Sequence, residues 1–292
     1  MNLIDIKNKE YPDLLKTIKN PPQKIYTKGE KKLLSKTCIS IIGTRECSET
    51  GFELAKKFSR ELSNKGFCIV SGMARGIDTA AHIGALEANG ETIAVLPCGF
   101  DNIFPKENEN LFNRITNQGL AITEYNKTEI ADSKKFIERN RIVSGLSIAT
   151  LVIEAGYRSG TSVTAKFAMK EGRKVFCIPH EIKNKYGIGT NELIRRGGIL
   201  VTNVKEILEE FPEIIIQKNI KPKNDFKIKM DIKPEYKKIY KTLINEKLTI
   251  DEISRNLKMD ISTTNYLLTL MELEGLVQQL PGKEFRCIEL TN

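Results

Sequence analysis

Glycine, hydroxyl and arginine residues recur in this chain where a β-branched run gives way to a helical stretch. Such junctions bind anions, because free backbone amides and the helix dipole both point at the ligand. The first is Ile42-Gly43-Thr44-Arg45, ahead of a helix opening near Thr50-Gly51. Taken alone, a plain tight turn accounts for it equally well. The second is Ser71-Gly72-Met73-Ala74-Arg75-Gly76-Ile77-Asp78, in which Gly72 and Gly76 let the backbone bend closely around a ligand and Arg75 stands between them. A third follows the strand-like run ending at Glu154: Gly156 and Gly160 flank Tyr157-Arg158-Ser159, Thr161 or Ser162 is placed to cap the next helix, and Lys166 lies about a turn inward. Anion-type turns at adjacent strand ends point to a phosphate track. The dinucleotide fingerprint GxGxxG is absent, and no cofactor is expected.

A fourth segment, Phe136-Ile137-Glu138-Arg139-Asn140-Arg141-Ile142-Val143, has helical spacing. Ile142, Val143 and Leu146 share one face with Arg139, which can point into a cleft from the helix start, while Asn140 and Arg141 lie to either side. Arginine clamps phosphate bidentately and asparagine reaches sugar or base edges. The plainer account is an i,i+3 pair between Glu138 and Arg141. Strand binders also need flat side chains for base stacking. Phe100, Phe104, Phe136 and Tyr157 are the candidates near loops, with Phe136 first.

These segments are positioned by an alternation of strands and helices. Apolar runs at 38–42, 67–71, 92–96, 120–123, 149–154, 174–178 and 199–202 alternate with helical stretches. Between the first two, Leu54, Phe58 and Leu62 repeat every four residues and Gly66 supplies a stop; later, Asp78 is placed to cap a helix that Gly90 ends. Strands this apolar describe an α/β fold, a doubly wound and mostly parallel sheet covered on both faces, which binds ligands beyond the carboxyl ends of its strands. Residues 1–37 are expected to pack on that sheet, with 38–212 as the Rossmann-like domain. Residues 213–233 read as a lysine-rich linker, with a short strand at Ile214–Ile216, and 234–292 as three helices and a hairpin turning at Pro281-Gly282, a winged helix.

Composition sets the class. The 292 residues carry a net charge of +9, with 40% hydrophobic and 28% charged side chains. Residues 235–292 hold 8 Lys/Arg against 9 Asp/Glu and 212–234 hold 6 lysines against 3 acids, which leaves +7 on the first 211. A basic balance at loop and helix-start positions favours a polyanion partner. No apolar run nears the ~18 residues of a membrane span, so a cytosolic protein is expected. Six cysteines lack CxxC spacing; the four in strand-like runs, Cys38, Cys68, Cys177 and Cys287, read as buried reduced thiols, and the two histidines, His82 and His180, are poor material for a metal site or catalytic triad.

Five blocks, SGMARGIDTAAHIGAL, VLPCGFDNIFPKEN, FIERNRIVSGLS, VIEAGYRSGTSVTAKFA and GIGTNELIRRGG, after a YPDLL…PP…IYTKG preamble, follow the order and spacing of the DprA/Smf family, which the chain resembles over roughly residues 11–211. The resemblance implies an extended Rossmann domain that binds single-stranded DNA, forms a homodimer and helps load the RecA recombinase in DNA uptake and recombination. It implies DNA-binding positions at Gly43, Thr44, Arg45, Ser71, Gly72, Arg75, Gly76, Phe136, Arg139, Asn140, Arg141, Gly160, Thr161, Ser162 and Lys166. The chain departs from the family in lacking a helical N-terminal domain and in having His180 where glycine is usual.

The main alternative is a nucleotide enzyme of the lysine-decarboxylase-like phosphoribohydrolase type. Its PGGxGTxxE loop needs a catalytic glutamate where this chain has threonine, and Glu154 sits before the loop, so no enzyme is expected. A regulator reading duplex DNA through the winged helix is the other. Its candidate recognition helix, Ser262 to Leu276, has Asn265 but no lysine or arginine and carries Glu272 and Glu274; Lys283 and Arg286 remain for minor wing contacts. A protein-contact role suits it better, with Leu267, Leu268, Leu270, Met271 and Leu273 mostly core.

Overall fold

The computed structural model describes residues 2–157, 159–212, 233–243, 247–280 and 283–287. The chain divides into two compact units, Met1–Lys218 and Asn219–Asn292. Residues 213–232 of the expected linker, its strand at Ile214–Ile216 included, and the Pro281-Gly282 turn lie outside the described residues.

The first unit runs β1 (Asn2–Asp5), α1 (Asp13–Lys16), β2 (Lys24–Gly29), β3 (Cys38–Ile42), α2 (Glu49–Asn64), β4 (Cys68–Ser71), α3 (Ile77–Glu87), β5 (Thr92–Val95), α4 (Glu109–Gln118), β6 (Leu120–Thr123), α5 (Ser133–Gly145), β7 (Ala149–Val152), α6 (Gly160–Lys170), β8 (Lys174–Cys177), α7 (Ile188–Arg195), β9 (Ile199–Leu200) and α8 (Val204–Glu209). The sheet order is β1-β2-β6-β5-β4-β3-β7-β8-β9, with every pair from β6 to β9 parallel. The chain lays strands outward from β3 to β6, then returns to place β7 on the other side of β3. That reversal leaves a crevice at the carboxyl ends of β3 and β7, the switch point where such sheets bind ligands.

Each strand feeds both faces, as period-2 alternation requires. Cys38 and Ile42 of β3 join Ile142, Val143, Ala165 and Ala168 of α5 and α6, whereas Ile39 and Ile41 join Ala55, Phe58 and Leu62 of α2. Ser48 caps α2 by accepting from the Gly51 amide at 2.9 Å, and Gly66 takes the left-handed conformation (φ 79°) that ends it. The first 37 residues do more than pack on the sheet. β2 pairs antiparallel with β6 and β1 with β2, extending the edge by two strands, while Leu15 and Ile18 pack over Gly145 of α5. Cys38, Cys68, Cys98 and Cys177 are buried free thiols, and burial pushes Cys177 up to about 12.

The second unit holds α9 (Lys237–Leu243), β10 (Leu248–Thr249), α10 (Ile250–Leu257), α11 (Ile261–Leu273), β11 (Val277–Leu280) and β12 (Glu284–Cys287), with sheet order β10-β12-β11. Three helices and a short sheet around Tyr236, Ile253, Leu268, Met271 and Phe285 make a winged helix with its own core. Thr249 and Glu252 form a reciprocal capping box at the start of α10.

His82 on α3 is fully buried. The Thr92 hydroxyl donates to the Ile69 carbonyl at 2.8 Å, so it accepts from His82 Nδ1, also at 2.8 Å. Nε2 is then the unprotonated nitrogen, without a hydrogen-bond partner among the described residues. Burial pushes this imidazole down to about 3, whereas the unfolded value is about 6.5. Between those values the unfolded chain binds the extra proton. The stabilisation is therefore full above about pH 6.5 and is lost as pH falls, by up to ~1.4 kcal/mol per unit. Denaturant unfolding from about pH 7.5 to about pH 5.5, above the carboxylate range, should show this decline. His82→Asn, which keeps a donor toward Thr92, should flatten it.

Candidate nucleic-acid interface

A cleft of about 510 Å³ opens at the crevice, lined from β3 by Gly43, Thr44, Arg45 and Glu46, from the β4 loop by Gly72, Ala74 and Asp78, from α5 by Phe136, Ile137, Arg139, Asn140 and Val143, and from the start of α6 by Ser159, Gly160, Thr161 and Thr164. Segments more than 100 residues apart in sequence thus meet at one edge of the sheet.

The floor is Arg139. It is 3% exposed, and its guanidinium donates to the carbonyls of Gly72 and Val95, at the ends of the neighbouring strands β4 and β5. Its Nε donates to Asn140 Oδ1 at 3.2 Å. Gly72 must be glycine here, since a Cβ would lie 2.7 Å from both Arg139 Cζ and Asp78 Oδ2. Burial pushes Arg139 down to about 10, against the opposing pull of Asp78, so the cation persists at neutral pH. Asp78 does not cap α3. The cap position is Gly76 (φ 72°), and the Asp78 carboxylate accepts from the Gly72 amide at 3.1 Å. Burial raises Asp78 despite Arg139.

The β3 wall depends on Glu154, 1% exposed. Its carboxylate accepts from the Ser48 amide at 2.9 Å and from the Ser48 hydroxyl, and its carbonyl accepts from Thr44 N at 2.9 Å. Gly51 has room for no Cβ, which would meet that carboxyl at 2.3 Å. On the rim, Arg45 lies over Phe136, 4.5 Å from Cζ to the ring centroid, and Phe104 meets Phe136 edge-on at 5.4 Å. Among the described residues no carboxylate pairs with Arg45. α6, like α3, α4 and α7, has no side-chain cap at its start, but the first amide of α3 donates to the Thr44 carbonyl at 3.3 Å. The uncapped start of α6 therefore borders the cleft, beside one cation beneath it and one on its rim.

Of the fifteen binding positions expected from sequence, Gly43, Thr44, Arg45, Gly72, Phe136, Arg139, Asn140, Gly160 and Thr161 line this cleft. Six do not. Ser71 is fully buried and donates to the Ile41 carbonyl at 2.6 Å. Gly76 is a backbone hinge whose Cβ would lie 2.4 Å from the Thr44 carbonyl. Arg75 is exposed and paired with Glu107. Ser162 is buried in the first turn of α6, where Ser159 rather than Thr161 or Ser162 holds the cap position. Lys166 is exposed on the outer face of α6. Arg141, expected as a DNA contact, lies outside the cleft: its guanidinium pairs with Glu124, not Glu138's carboxylate, through two 2.7 Å bonds, and its Nε donates to the Asn20 carbonyl. It fastens the N-terminal segment to α5. Phe100 is core. His180 braces its loop, with Nε2 donating to the Ile153 carbonyl at 2.8 Å. Thr164 and Glu46 were missed. Thr164, one turn after Gly160, had a signal in its helical spacing.

The family profile of DNA recombination-mediator protein A matches residues 2–212, nearly three-quarters of the chain. The chain belongs to that family. The profile of the DprA winged helix domain matches residues 230–283. DNA processing protein DprA of Streptococcus pneumoniae is 41% identical over 201 residues, covering 69% of this chain and 71% of that protein. Protein Smf of Escherichia coli is 32% identical over 284 residues, covering 96% and 76%. Among solved structures, the pneumococcal protein aligns with a TM-score of 0.70 at 39% identity, covering 72% of this chain and 74% of that one. DNA processing protein A of Helicobacter pylori, whose structure concerns its single-stranded DNA binding mode, aligns at 0.66 and 31% identity, covering 73% and 97%. Family membership accounts for the parallel sheet with its appended winged helix.

The Arg141–Glu124 side chains are 14% and 17% exposed, so removing one strands the other in a half-dry site. Arg141→Ala should cost about 2–3 kcal/mol, under the about 3–5 kcal/mol of a fully buried pair. In urea unfolding the Arg141→Ala/Glu124→Ala double variant should be less destabilised than the sum of the two singles. A side chain serving only as a ligand contact would leave stability unchanged.

Proposed function

We propose that this chain binds single-stranded DNA across the carboxyl edge of its sheet and, as a homodimer in the cytosol, hands the strand to RecA recombinase during DNA uptake or recombination. The observation that carries the DNA reading is the Arg45–Phe136 stack beside the uncapped start of α6. An amide terminus takes a phosphate, and an aromatic face takes a base without selecting its identity. The Helicobacter relative supports the same ligand. Arg139 contributes its field from below, while Arg75 reaches a phosphate only by leaving Glu107, an exposed ion pair worth little. RecA delivery and dimerisation rest on the family resemblance. Leu200 on the edge strand β9 and Ile188 nearby are exposed apolar residues consistent with self-association.

A binding role fits better than catalysis. The carboxylate best placed for a phosphoribohydrolase, Glu154, is enclosed and committed to the amide and hydroxyl of Ser48. The winged helix fits a protein contact: α11 exposes Ile261, Tyr266 and Leu273, the last 80% exposed, and carries no basic residue toward a groove.

Gel shifts should show tighter binding to single-stranded than to blunt duplex DNA. Arg45→Ala should weaken it several-fold and flatten the log–log salt slope by about 0.7, one phosphate's share. Equal or tighter duplex binding, or multiple turnover on a nucleoside monophosphate abolished by Glu154→Gln, would replace this proposal with one of its alternatives. Separately, an isolated 230–292 fragment should show no submicromolar binding to duplex DNA at physiological salt; such binding would return the domain to groove reading.

A further inference from the structure

The loop after β8, residues 179–188, lies one strand beyond the cleft on the same edge of the sheet. It is tied to the cleft's α6-side wall by hydrogen bonds from Ala155 N to the Tyr186 carbonyl (2.8 Å) and from Gly189 N to the Ala155 carbonyl (2.7 Å). Ser159 and Gly160, at the start of α6 on that side, line the cleft. We propose that this loop is a second landing for the nucleic-acid backbone, outside the cleft, with Lys183 and Lys185 as phosphate contacts and Tyr186 as an adjoining stacking face. The proposal rests on the cleft being a single-stranded DNA site.

Three features support it. The first is position. Neighbouring strands lie about 4.8 Å apart, so a chain crossing the ends of β3 and β7 arrives at the β8 loop without turning. The second is rigidity. His180 is fastened to Ile153 and bracketed by Asn191, which accepts from His180 N at 3.1 Å and donates to its carbonyl at 2.9 Å. Asn184 accepts from Tyr186 N at 2.9 Å and donates to His180 Nδ1 at 3.4 Å. At Gly187 a Cβ would lie 2.0 Å from that of His180, so the turn closes only on glycine. A braced loop loses little conformational freedom on binding.

The third is charge. Lys183 and Lys185 are exposed and two residues apart, and like several other surface lysines neither pairs with a carboxylate among the described residues, so both ammonium groups can meet a phosphate. Lys185 sits 4.9 Å from the Tyr186 ring centroid, which holds the ammonium beside an aromatic face. Glu181, the one acid in the loop, lies two residues before Lys183, is exposed and forms no ion pair with either lysine among the described residues. Paired ammonium groups with an interleaved aromatic suit a single strand, whose phosphates and bases alternate.

The test is fluorescence anisotropy with oligothymidylates of increasing length on the full chain, comparing wild type with Lys183→Ala/Lys185→Ala and Lys183→Arg/Lys185→Arg. The alanine variant should bind the shortest oligonucleotides as wild type does. On longer ones it should lose several-fold in affinity and show a salt slope flatter by about 1.4, two phosphates at about 0.7 each; the arginine variant should restore both. Unchanged affinity and slope on long oligonucleotides would overturn the proposal, as would an equal loss at every length, which would place the lysines within the cleft's own footprint. Arg45→Ala separates the two claims, because it should weaken every length. If it weakens none, or wild type binds no oligonucleotide, the cleft reading falls and the loop proposal falls with it.

Discussion

One buried guanidinium organises the carboxyl edge of the sheet. Arg139 reaches from α5 to the last carbonyls of β4 and β5, so the helix cannot shift without freeing two backbone acceptors in a dry site. Around it, Gly72 has no room for a side chain and Asp78 turns from its helix to satisfy the Gly72 amide. The position of α5 in turn places Phe136 and Asn140 on the rim. A cation that is inaccessible to direct contact still biases the cleft toward anions, because its charge is poorly screened by water.

Glu154 plays the matching part on the other side of the switch point. It is an acid at a strand end, where catalytic acids often sit, yet its oxygens are taken by the amide and hydroxyl of Ser48. The same serine caps α2, so the carboxylate fixes both the β3 turn and the helix that follows. Arg139 and Glu154 thus hold a rigid crevice whose accessible chemistry is left to backbone amides, Arg45 and aromatic rings.

The sequence revealed the parallel sheet because its strands are apolar on both faces and stand out as continuous runs. β1 and β2 escaped notice because they lie at the edge, alternate buried with exposed residues and carry charges. Nine of the cleft residues were legible as turn and helix-start types. What local sequence could not show were partners distant along the chain: Arg141 finds Glu124 after β6, and Arg75 finds Glu107 beyond β5. Helix caps misled for a related reason. Asp78 and Thr161 are good capping types, but Asp78 is drawn to the Gly72 amide of the neighbouring turn and Ser159 holds the cap position of α6, so local propensity yields to tertiary partners.

The glycines divide this surface into frozen and free parts. At Gly43, Gly51, Gly72 and Gly76 a single added carbon would strike a side chain or carbonyl that itself holds the crevice, whereas Gly156 and Gly160 meet nothing within 4 Å. Mutational drift is therefore channelled. The β3 and β4 walls accept almost no change, while the start of α6 has room for added side chains at Gly156 and Gly160; in the loop beyond it Gly187 is again closed by His180. Variation that the fold tolerates therefore falls on the α6 lip of the crevice rather than at its centre.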